Sequence, residues 1–238
     1  MNILIIGASS SIGFSLSKAF AENNNLFLLT SNINKLELLK KETIVLGALS
    51  TKIIEVDLQK ELFSVDILPE KIDVIINVAC ATSKLKNFNI SANKHKNYTE
   101  VDLTKPLFIL EYYLKKIVKE GKNSKLNYIF INTILTKIQS RNYSIYYSYK
   151  LLQQEYIKAF KRKYNDTLKI TNVIIGRNVN RNEESKSTIS LAKRILRAIN
   201  KNESEFIYGF EGKLIYALYL ISPLLSNSII FFKRLFYR

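Results

Sequence analysis

Six short apolar runs recur along the chain, and stretches with helical periodicity separate them. Within each run the apolar residues are neighbours rather than alternate positions, which is typical of strands buried on both faces of a sheet. The runs predict strands at 2–6, 26–29, 52–56, 72–76, 126–131 and 169–175, and the stretches between them predict helices at 12–22, 34–42, 99–120 and 144–164. This alternation predicts one α/β domain with a doubly wound parallel sheet.

The composition excludes several kinds of site. A chain of 238 residues, 47% of them hydrophobic, can bury one large core. The single cysteine, Cys80, excludes an intramolecular disulfide framework and a cysteine-rich zinc site. The single histidine, His95, excludes a histidine-cluster metal site and disfavours a Ser-His-Asp triad. We therefore expect no metal, and we expect chemistry based on Tyr, Lys, Ser, Thr, Asn or carboxylate side chains.

The net charge of +16 predicts an anionic partner. The basic residues are scattered along the chain, which disfavours nucleic-acid binding. An anionic substrate and a negatively charged membrane surface both fit the charge. The first apolar run is too short for a signal peptide and no basic residue precedes it, so we expect a cytoplasmic protein or one at the inner face of the membrane.

A turn of small residues follows the first predicted strand and leads into a helix. It consists of Gly7, Ala8, Ser9, Ser10, Ser11, Ile12 and Gly13. A tight turn at Gly7, close packing at Gly13 and backbone N–H groups at the helix start would together hold a pyrophosphate. Taken alone, the turn also fits an ordinary connection between a strand and a helix.

Tyr146 and Lys150 lie four residues apart in a predicted helix, so both side chains lie on one helix face. A neighbouring ammonium favours the phenolate and lowers the pKa of a tyrosine from about 10. Such a tyrosine can donate a proton to a carbonyl or remove one from an alcohol. Thr133 places a hydroxyl at the end of the fifth predicted strand. Each feature alone also fits a structural role, as a solvated lysine on an amphipathic helix or a threonine at a strand end.

Together, in order and spacing, these motifs resemble the short-chain dehydrogenase/reductase family, over residues 1 to about 208. The resemblance implies a Rossmann-type domain that binds a nicotinamide dinucleotide, with the family's glycine positions at Gly7, Ser11 and Gly13. It also implies that Asp57 contacts the adenine. The positions assigned to the cofactor are Gly7, Ser9, Ser10, Ser11, Ile12, Gly13, Thr30, Ser31, Asn32, Asp57, Leu58, Asn77, Val78, Ala79, Lys150 and Gly176.

The resemblance also implies catalytic roles. The family's serine, tyrosine and lysine fall on Thr133, Tyr146 and Lys150. Its fourth catalytic residue, an asparagine that supports a water relay to the lysine, falls on Asp102. In the implied mechanism a hydride passes between nicotinamide and a carbonyl carbon, and Tyr146 protonates the oxygen. Lys150 lowers the tyrosine pKa and binds the nicotinamide ribose, while Thr133 orients the substrate oxygen.

The chain departs from the family pattern at several of these positions. Ser11 replaces a glycine, which strains the turn only if its φ is positive. Cys80 and Ile175 replace a glycine and a proline beside the cofactor pocket, which they would reshape. Asp102 replaces the relay asparagine, so the relay is either kept or altered.

The end of the second predicted strand bears on the choice of cofactor. An acidic residue there would bind the ribose 2′-hydroxyl of NAD and repel the 2′-phosphate of NADP. Thr30, Ser31 and Asn32 include no such residue, and Lys35 follows them. We therefore expect NADP(H) in preference to NAD(H), although the arginine that usually accompanies NADP is missing.

Residues 209–238 form a distinct apolar extension. Residues 214–232 carry no charge, with Lys213 before them and Lys233 and Arg234 after them. The run is barely long enough to span a bilayer, and Pro223 interrupts it. We expect a helical extension that acts as a lid, as a contact in a homodimer or homotetramer, or as a peripheral membrane contact, with a true span as the remaining alternative.

These features predict an NADP-dependent oxidoreductase that acts on a carbonyl or an alcohol. The substrate would be anionic or lipid-linked, such as a sugar precursor in surface-polysaccharide biosynthesis. A 3-ketoacyl reductase that meets an acidic carrier protein is an alternative enzyme, and a catalytically silent dinucleotide-binding or interaction protein is an alternative of another class. Substrate recognition is expected in the loop 177–190, where Arg177, Arg181 and Lys186 either meet an anionic group or are solvated.

Overall fold

The computed structural model describes residues 1–60, 64–81, 90–121, 124–138, 145–176 and 185–223. Within these ranges the strands are β1 (Asn2–Ile6), β2 (Asn25–Thr30), β3 (Ser50–Glu55), β4 (Val74–Asn77), β5 (Leu126–Thr133), β6 (Leu168–Ile175) and β7 (Glu205–Tyr208). They form one parallel sheet in the order β3-β2-β1-β4-β5-β6-β7. The chain therefore has a Rossmann-type fold, whose strand order reverses direction between β1 and β4.

Helices cover the sheet. They are α1 (Ser11–Ala19), α2 (Glu37–Val45), α3 (Ala92–Thr99), α4 (Lys105–Lys119), α5 (Ile145–Lys163), α6 (Lys186–Asn200) and α7 (Phe210–Ile221). A π-helical turn, Glu100–Thr104, joins α3 to α4 without a break. Short 3-10 turns lie at Ile33–Lys35, Val65–Ile67 and Ile134–Thr136.

The central strands are apolar on both faces because each face has its own core. In β1, Ile3 and Ile5 pack into the core beneath α1 and α6. The alternate residues, Leu4 and Ile6, pack into the core beneath α4 and α5. Successive side chains of a strand point to opposite faces, so a strand covered on both sides needs apolar residues at every position.

The six predicted strands are all present, with shifts of a few residues at their ends. The helix predicted at 99–120 is longer, because it begins at Ala92 and contains the π-helical turn. Two elements are additional: β7 is short and lies at the sheet edge, and α6 begins at Lys186. Lys186 therefore lies on a helix rather than in the loop expected at 177–190, while Arg177 and Arg181 lie outside the described residues.

The described part of the C-terminal extension is the helix α7. It packs on the carboxyl end of β6, where a Cβ on Gly176 would lie 3.1 Å from the backbone nitrogen of Gly212. Ile215 of α7 shares a small apolar cluster with Ile134 and Ile174. Within the described ranges, no helix combines the length and the apolarity needed to cross a bilayer. Residues 224–238 lie outside the described residues.

Candidate active site

The predicted site residues lie at one edge of the sheet, because the carboxyl ends of parallel strands meet there. β1 leads into Gly7, and β2 ends at Thr30. β4 ends at Asn77, β5 ends at Thr133, and β6 leads into Gly176. Residues that are far apart in the sequence are thus brought to a common edge.

The turn after β1 depends on close backbone contacts. Gly7 has a φ of +85°, and a Cβ on it would lie 2.8 Å from the backbone nitrogen of Ala79. A Cβ on Gly13 would lie 2.6 Å from the carbonyl oxygen of Gly7. The absence of side chains at these two positions lets α1 begin directly against the turn, beside the end of β4.

The first turn of α1 presents backbone donors at this edge. The Ser10 hydroxyl caps the helix, accepting from the Gly13 N–H at 3.1 Å and donating to the Gly7 carbonyl at 2.9 Å. The N–H groups of Ser11 and Ile12 have no acceptor among the described residues. Ser11 does not have a positive φ, so its Cβ introduces no strain. Free donors at the positive end of a helix dipole fit the pyrophosphate of a dinucleotide.

The turn after β2 carries hydroxyl, amide and ammonium groups. The Thr30 hydroxyl is buried and accepts from the Asn32 N–H at 3.0 Å. Asn32 in turn accepts from the Lys35 N–H at 3.4 Å. Ser31, Asn32 and Lys35 are exposed. Glu55 lies beside Thr30 in the register of β2 and β3, so one exposed carboxylate is placed on the neighbouring strand.

The predicted adenine contact lies in the turn after β3. The Asp57 carboxylate accepts from the Gln59 N–H at 3.0 Å and is partly exposed. Leu58 is buried in the core beneath α4. Asp57 is thus held in place by its own turn, at the same edge as the glycine turn.

The end of β4 is organised by a buried carboxamide. Asn77 donates to the Tyr128 hydroxyl at 3.2 Å and accepts from the Ala79 N–H at 3.2 Å. The Val78 N–H donates to the Ile6 carbonyl at 3.0 Å. Asn77 therefore shapes this edge from within the sheet, with its side chain turned away from the surface. Burial also raises the pKa of Tyr128 above its ordinary value.

Thr133 ends β5 with its hydroxyl at the same edge. Its N–H donates to the Asn132 carboxamide oxygen at 2.8 Å, and Asn132 donates to Gln154 of α5 at 2.7 Å. Its hydroxyl oxygen accepts from the Leu135 N–H at 3.4 Å. No described residue accepts the hydroxyl proton, so that proton can be donated to a bound oxygen.

Tyr146 and Lys150 lie in the first two turns of α5, which begins at Ile145. Tyr146 is half-buried and Lys150 is 4% exposed. Tyr149 points to α3, where its hydroxyl lies 2.8 Å from that of Thr99. α5 packs against both β5 and the turn that follows Thr133. The fold therefore brings Thr133, Tyr146 and Lys150 to one region.

Lys150 contacts a residue that the motifs did not predict. Its Nζ donates to the carboxamide oxygen of Gln153 at 3.4 Å. The Nε2 of Gln153 donates to the main-chain carbonyl of Asp102 at 2.9 Å. Gln153 is completely buried. A carboxamide thus lies between Lys150 and the helix that carries Asp102.

The Asp102 carboxylate is bonded to the segment that follows β4. Its Oδ1 accepts from the Ala81 N–H at 2.5 Å, and its Oδ2 accepts from the Cys80 thiol at 3.6 Å. The carboxylate therefore holds the segment after β4, while the main-chain carbonyl of the same residue faces Gln153.

No cluster of three metal-binding side chains occurs among the residues that the structure describes.

A cavity of about 760 Å³ lies elsewhere, over the amino-terminal half of β6. Its lining includes Lys169 and Asn172 of β6, and Lys161 of α5. It includes none of the residues predicted for the cofactor or for catalysis. We place the candidate chemistry at the carboxyl edge, where β5 ends at Thr133 and the first turns of α5 carry Tyr146 and Lys150.

The chain matches the short chain dehydrogenase family over residues 1–182. It belongs to this family. Family membership makes the protein an oxidoreductase that uses NAD(P), and it confirms the resemblance seen in the sequence. It leaves the substrate undetermined.

Solved structures of other short-chain dehydrogenases share the fold. An alcohol dehydrogenase from Comamonas testosteroni, specific for bulky-bulky ketones, has a TM-score of 0.75 at 17% identity, over 94% of this chain and 93% of that one. A short-chain dehydrogenase from Sphingobium yanoikuyae in complex with NADPH has a TM-score of 0.75 at 16% identity, over 95% of each chain. A putative betaketoacyl-ACP reductase has a TM-score of 0.70 at 14% identity, over 87% of this chain and 95% of that one. No curated protein sequence matches the chain.

Two polar contacts in this short-chain dehydrogenase were missed from the sequence, the Gln153 bridge and the Asn132–Gln154 pair. A signal was present for both: two adjacent glutamines follow Lys150 within one helical turn. An amphipathic helix leaves only some positions for polar side chains, and Gln153 and Gln154 lie on its buried side. Buried carboxamides need partners, so such a pair indicates a polar network.

Proposed function

We propose that the protein is an NADP-dependent reductase of carbonyl compounds, in which Tyr146 is the general acid. The observation that carries the proposal is the buried ammonium of Lys150, one helical turn from Tyr146 and at the same sheet edge as Thr133. A buried ammonium next to a phenol stabilises the phenolate, and the phenol then gives up its proton more readily. Bound NADPH supplies the hydride.

The remaining steps, proton transfer and the binding of substrate and cofactor, are assigned to residues of this site. The Tyr146 hydroxyl donates its proton to the substrate oxygen, and Lys150 stabilises the negative charge left on the tyrosine. Thr133 donates its free hydroxyl proton to the same substrate oxygen and thereby orients the carbonyl. The donors of Ser11 and Ile12, with the close approach at Gly7, hold the pyrophosphate.

The preference for NADP rests on the turn after β2. Ser31, Asn32 and Lys35 are exposed there, and they offer a hydroxyl, an amide and an ammonium to a 2′-phosphate. Glu55 on the neighbouring strand acts in the opposite direction. The preference predicts tighter binding of NADPH than of NADH. The structure of a Sphingobium yanoikuyae relative bound to NADPH is consistent with this choice.

The first experiment is a fluorescence titration of the purified protein with NADPH and with NADH. Micromolar binding of NADPH, with weaker binding of NADH, supports the proposal. A panel of carbonyl compounds then tests turnover, and Tyr146→Phe should lower kcat by a factor of about 100 or more, as expected for a lost general acid. Near-normal turnover in Tyr146→Phe refutes the assignment of Tyr146. Cofactor binding without turnover on any carbonyl favours a silent dinucleotide-binding protein.

For the substrate we propose an anionic or lipid-linked carbonyl compound, with a sugar precursor of surface polysaccharide as one example. α7 supports this proposal, because its inner side packs by the turn that follows Thr133 while its outer side is apolar. Phe210 is 81% exposed and Ile221 is 77% exposed. Exposed apolar residues on a strongly basic protein fit the surface of an anionic membrane. A homodimer or homotetramer contact is the competing use of this face.

Two measurements separate these uses of α7. Sedimentation with vesicles of anionic lipid should deplete the wild-type protein from solution, and Phe210→Ser with Ile221→Ser should reduce that depletion. Neutral vesicles serve as the control. If light scattering instead shows an oligomer that the same two substitutions dissociate, the face is a subunit contact.

A 3-ketoacyl reductase remains the second candidate enzyme. The observation in its favour is the basic surface, with a net charge of +16, which fits an acidic carrier protein. The fold shared with a putative betaketoacyl-ACP reductase is consistent with it. Turnover of a ketoacyl group on an acidic carrier, with a KM that rises with salt, would select this candidate.

A further inference from the structure

A carboxamide bridge connects Lys150 to the long helix formed by α3 and α4. The Gln153 oxygen accepts from the Lys150 ammonium at 3.4 Å, and the Gln153 nitrogen donates to the Asp102 carbonyl at 2.9 Å. An ammonium only donates and a carbonyl only accepts, so the amide can satisfy both in one orientation alone. All three residues are at most 4% exposed, which leaves little water to compete for these groups.

The sequence explains why the Asp102 carbonyl is available. In an α-helix this carbonyl would accept from the N–H of the residue four positions later. That residue is Pro106, which has no N–H. The π-helical turn Glu100–Thr104 lies at the same place in the helix. The Asp102 carbonyl therefore lacks its i→i+4 α-helical donor, and Gln153 donates to it.

We propose that Gln153 is a positioning residue, which fixes the Lys150 ammonium by tying it to the Asp102 carbonyl. The proposal rests on the proposed function, because it assumes that Lys150 acts with Tyr146. An ammonium has three donors, and Gln153 takes one of them. The other two have no acceptor among the described residues, so the bridge directs them toward the cofactor and the substrate.

The bridge differs in kind from the water relay that the family resemblance implied. A carboxamide is attached to the helix, and it neither gains nor loses a proton at ordinary pH. It therefore holds the lysine in one direction without passing protons to Asp102. The Asp102 carboxylate takes no part in the bridge, since it binds the segment at Cys80 and Ala81.

The first test is Gln153→Leu, which keeps the size of the side chain and removes both hydrogen bonds. We expect kcat to fall about 10-fold to 100-fold, the range for a lost hydrogen bond to a charged group. We also expect the Kd for NADPH, measured by nicotinamide fluorescence, to rise about 10-fold because the lysine donors are no longer directed. Wild-type values of both quantities in a folded Gln153→Leu protein would overturn the proposal.

Gln154→Leu is the matched control. Gln154 is the next residue of the same helix, is also buried, and also loses a carboxamide hydrogen bond, but its partner is Asn132 rather than Lys150. We expect the NADPH Kd to stay within about twofold of the wild-type value in this variant, which is less than 1 kcal/mol. An equal loss of NADPH affinity in both variants would show a general packing effect and would count against the bridge.

The second test is Gln153→Glu, which is useful even if Gln153→Leu does not fold. Glu keeps the shape and accepts from Lys150, but its carboxylate cannot donate to the Asp102 carbonyl. The new negative charge offsets the ammonium, so the pKa of Tyr146 should rise and the alkaline limb of the kcat/KM profile should move to higher pH by about one unit. Among the described residues, the Asp102 carboxylate and the Cys80 thiol that contacts it are unchanged. A profile that stays in place would show that the side chain at position 153 does not act on the Lys150 ammonium, and that result would overturn the proposal.

Tyr146→Phe distinguishes failure of the bridge from failure of the proposed function. If Tyr146→Phe keeps its turnover, the assumed role of Lys150 fails, and the bridge proposal fails with it. If Tyr146→Phe loses turnover while Gln153→Leu and Gln153→Glu both behave like the wild type, only the bridge proposal is overturned.

Discussion

The glycine turn at residues 7–13 and the side-chain group around Lys150 lie at the same sheet edge but are built differently. The turn consists of seven consecutive residues and is built from backbone contacts, of Gly13 with Gly7 and of Gly7 with Ala79 after β4. The group around Lys150 is assembled from distant elements, because Asp102, Thr133 and Gln153 lie on a π-helical turn, a strand and a helix. The difference teaches that backbone-built sites can be found by motif, whereas side-chain networks need the tertiary fold.

The largest effect is expected at Gly7, where close backbone contacts leave no room for a side chain. Gly7→Ala introduces a Cβ at a φ of +85° and 2.8 Å from the backbone of Ala79. Strain and overpacking together should lower the free energy of unfolding by about 2–4 kcal/mol, measured by urea denaturation. NADPH binding should weaken as well, because the turn must move to make room.

Gly209→Ala is the control for Gly7→Ala. Gly209 has nearly the same φ, +87°, but a Cβ on it would meet no described atom within 4 Å. Only the conformational cost of about 1 kcal/mol is then expected. If the two variants lose equal stability, the close approach to Ala79 contributes nothing. The view that backbone contacts determine the glycine turn would then be wrong.

An intermediate effect is expected at Thr133, in the side-chain half of the site. Thr133→Val keeps the shape and removes the hydroxyl, so kcat should fall about 100-fold, as for the loss of one donor to a substrate oxygen. Thr133→Ser keeps the hydroxyl and should stay within about threefold of the wild-type kcat, a change below 1 kcal/mol. Steady-state kinetics on any accepted carbonyl measures both. Equal losses in the two variants would point to the methyl group, and the hydroxyl would have no role.

The smallest effect concerns stability at alkaline pH. Burial raises the pKa of Tyr128, and burial with the neighbouring Tyr112 raises that of Tyr113. A raised pKa means that the folded state holds the proton more tightly than the unfolded state. The resulting stability is complete below the unfolded value of about 10 and is lost as the pH rises above it.

Urea denaturation at pH 8 and at pH 10.5 tests this dependence. The wild-type free energy of unfolding should be lower at pH 10.5. Tyr128→Phe should reduce that difference, and at pH 8 it should cost about 1 kcal/mol because Asn77 loses its partner. An unchanged pH dependence in Tyr128→Phe would show that the ionisation of Tyr128 does not limit alkaline stability.

Most of the fold could be predicted from the sequence because the central strands are covered on both faces. Most positions of such a strand are apolar, so the runs stand out even without alternation. The edge strand β7 was missed because it is only four residues long and includes Glu205. The helix α6 was missed because its first residues, from Lys186 onward, fall within the loop expected at 177–190.

The parts of the candidate site that could be predicted are those in which particular residue types occur at a fixed spacing. Glycine turns and a tyrosine four residues before a lysine have recognisable spacing. The Asn77 carboxamide shows the limit of such reasoning, because its bond to Tyr128 within the sheet was not indicated by the motif, while its assignment to the cofactor stays a prediction. The Gln153 bridge shows the same limit, because no motif indicated it. The bridge involves a carbonyl whose i→i+4 helical donor is removed by Pro106, 47 residues earlier in the chain.

The contact between Gly176 and Gly212 limits the side chains that these two positions can accept. The end of β6 and the first turn of α7 meet there backbone to backbone, with no side chain between them. A Cβ at either glycine would lie 3.1–3.2 Å from its nearest neighbour, so the contact would have to open slightly. A change of side-chain size is therefore easier to accommodate further along α7, as at Ile215, than at this backbone contact.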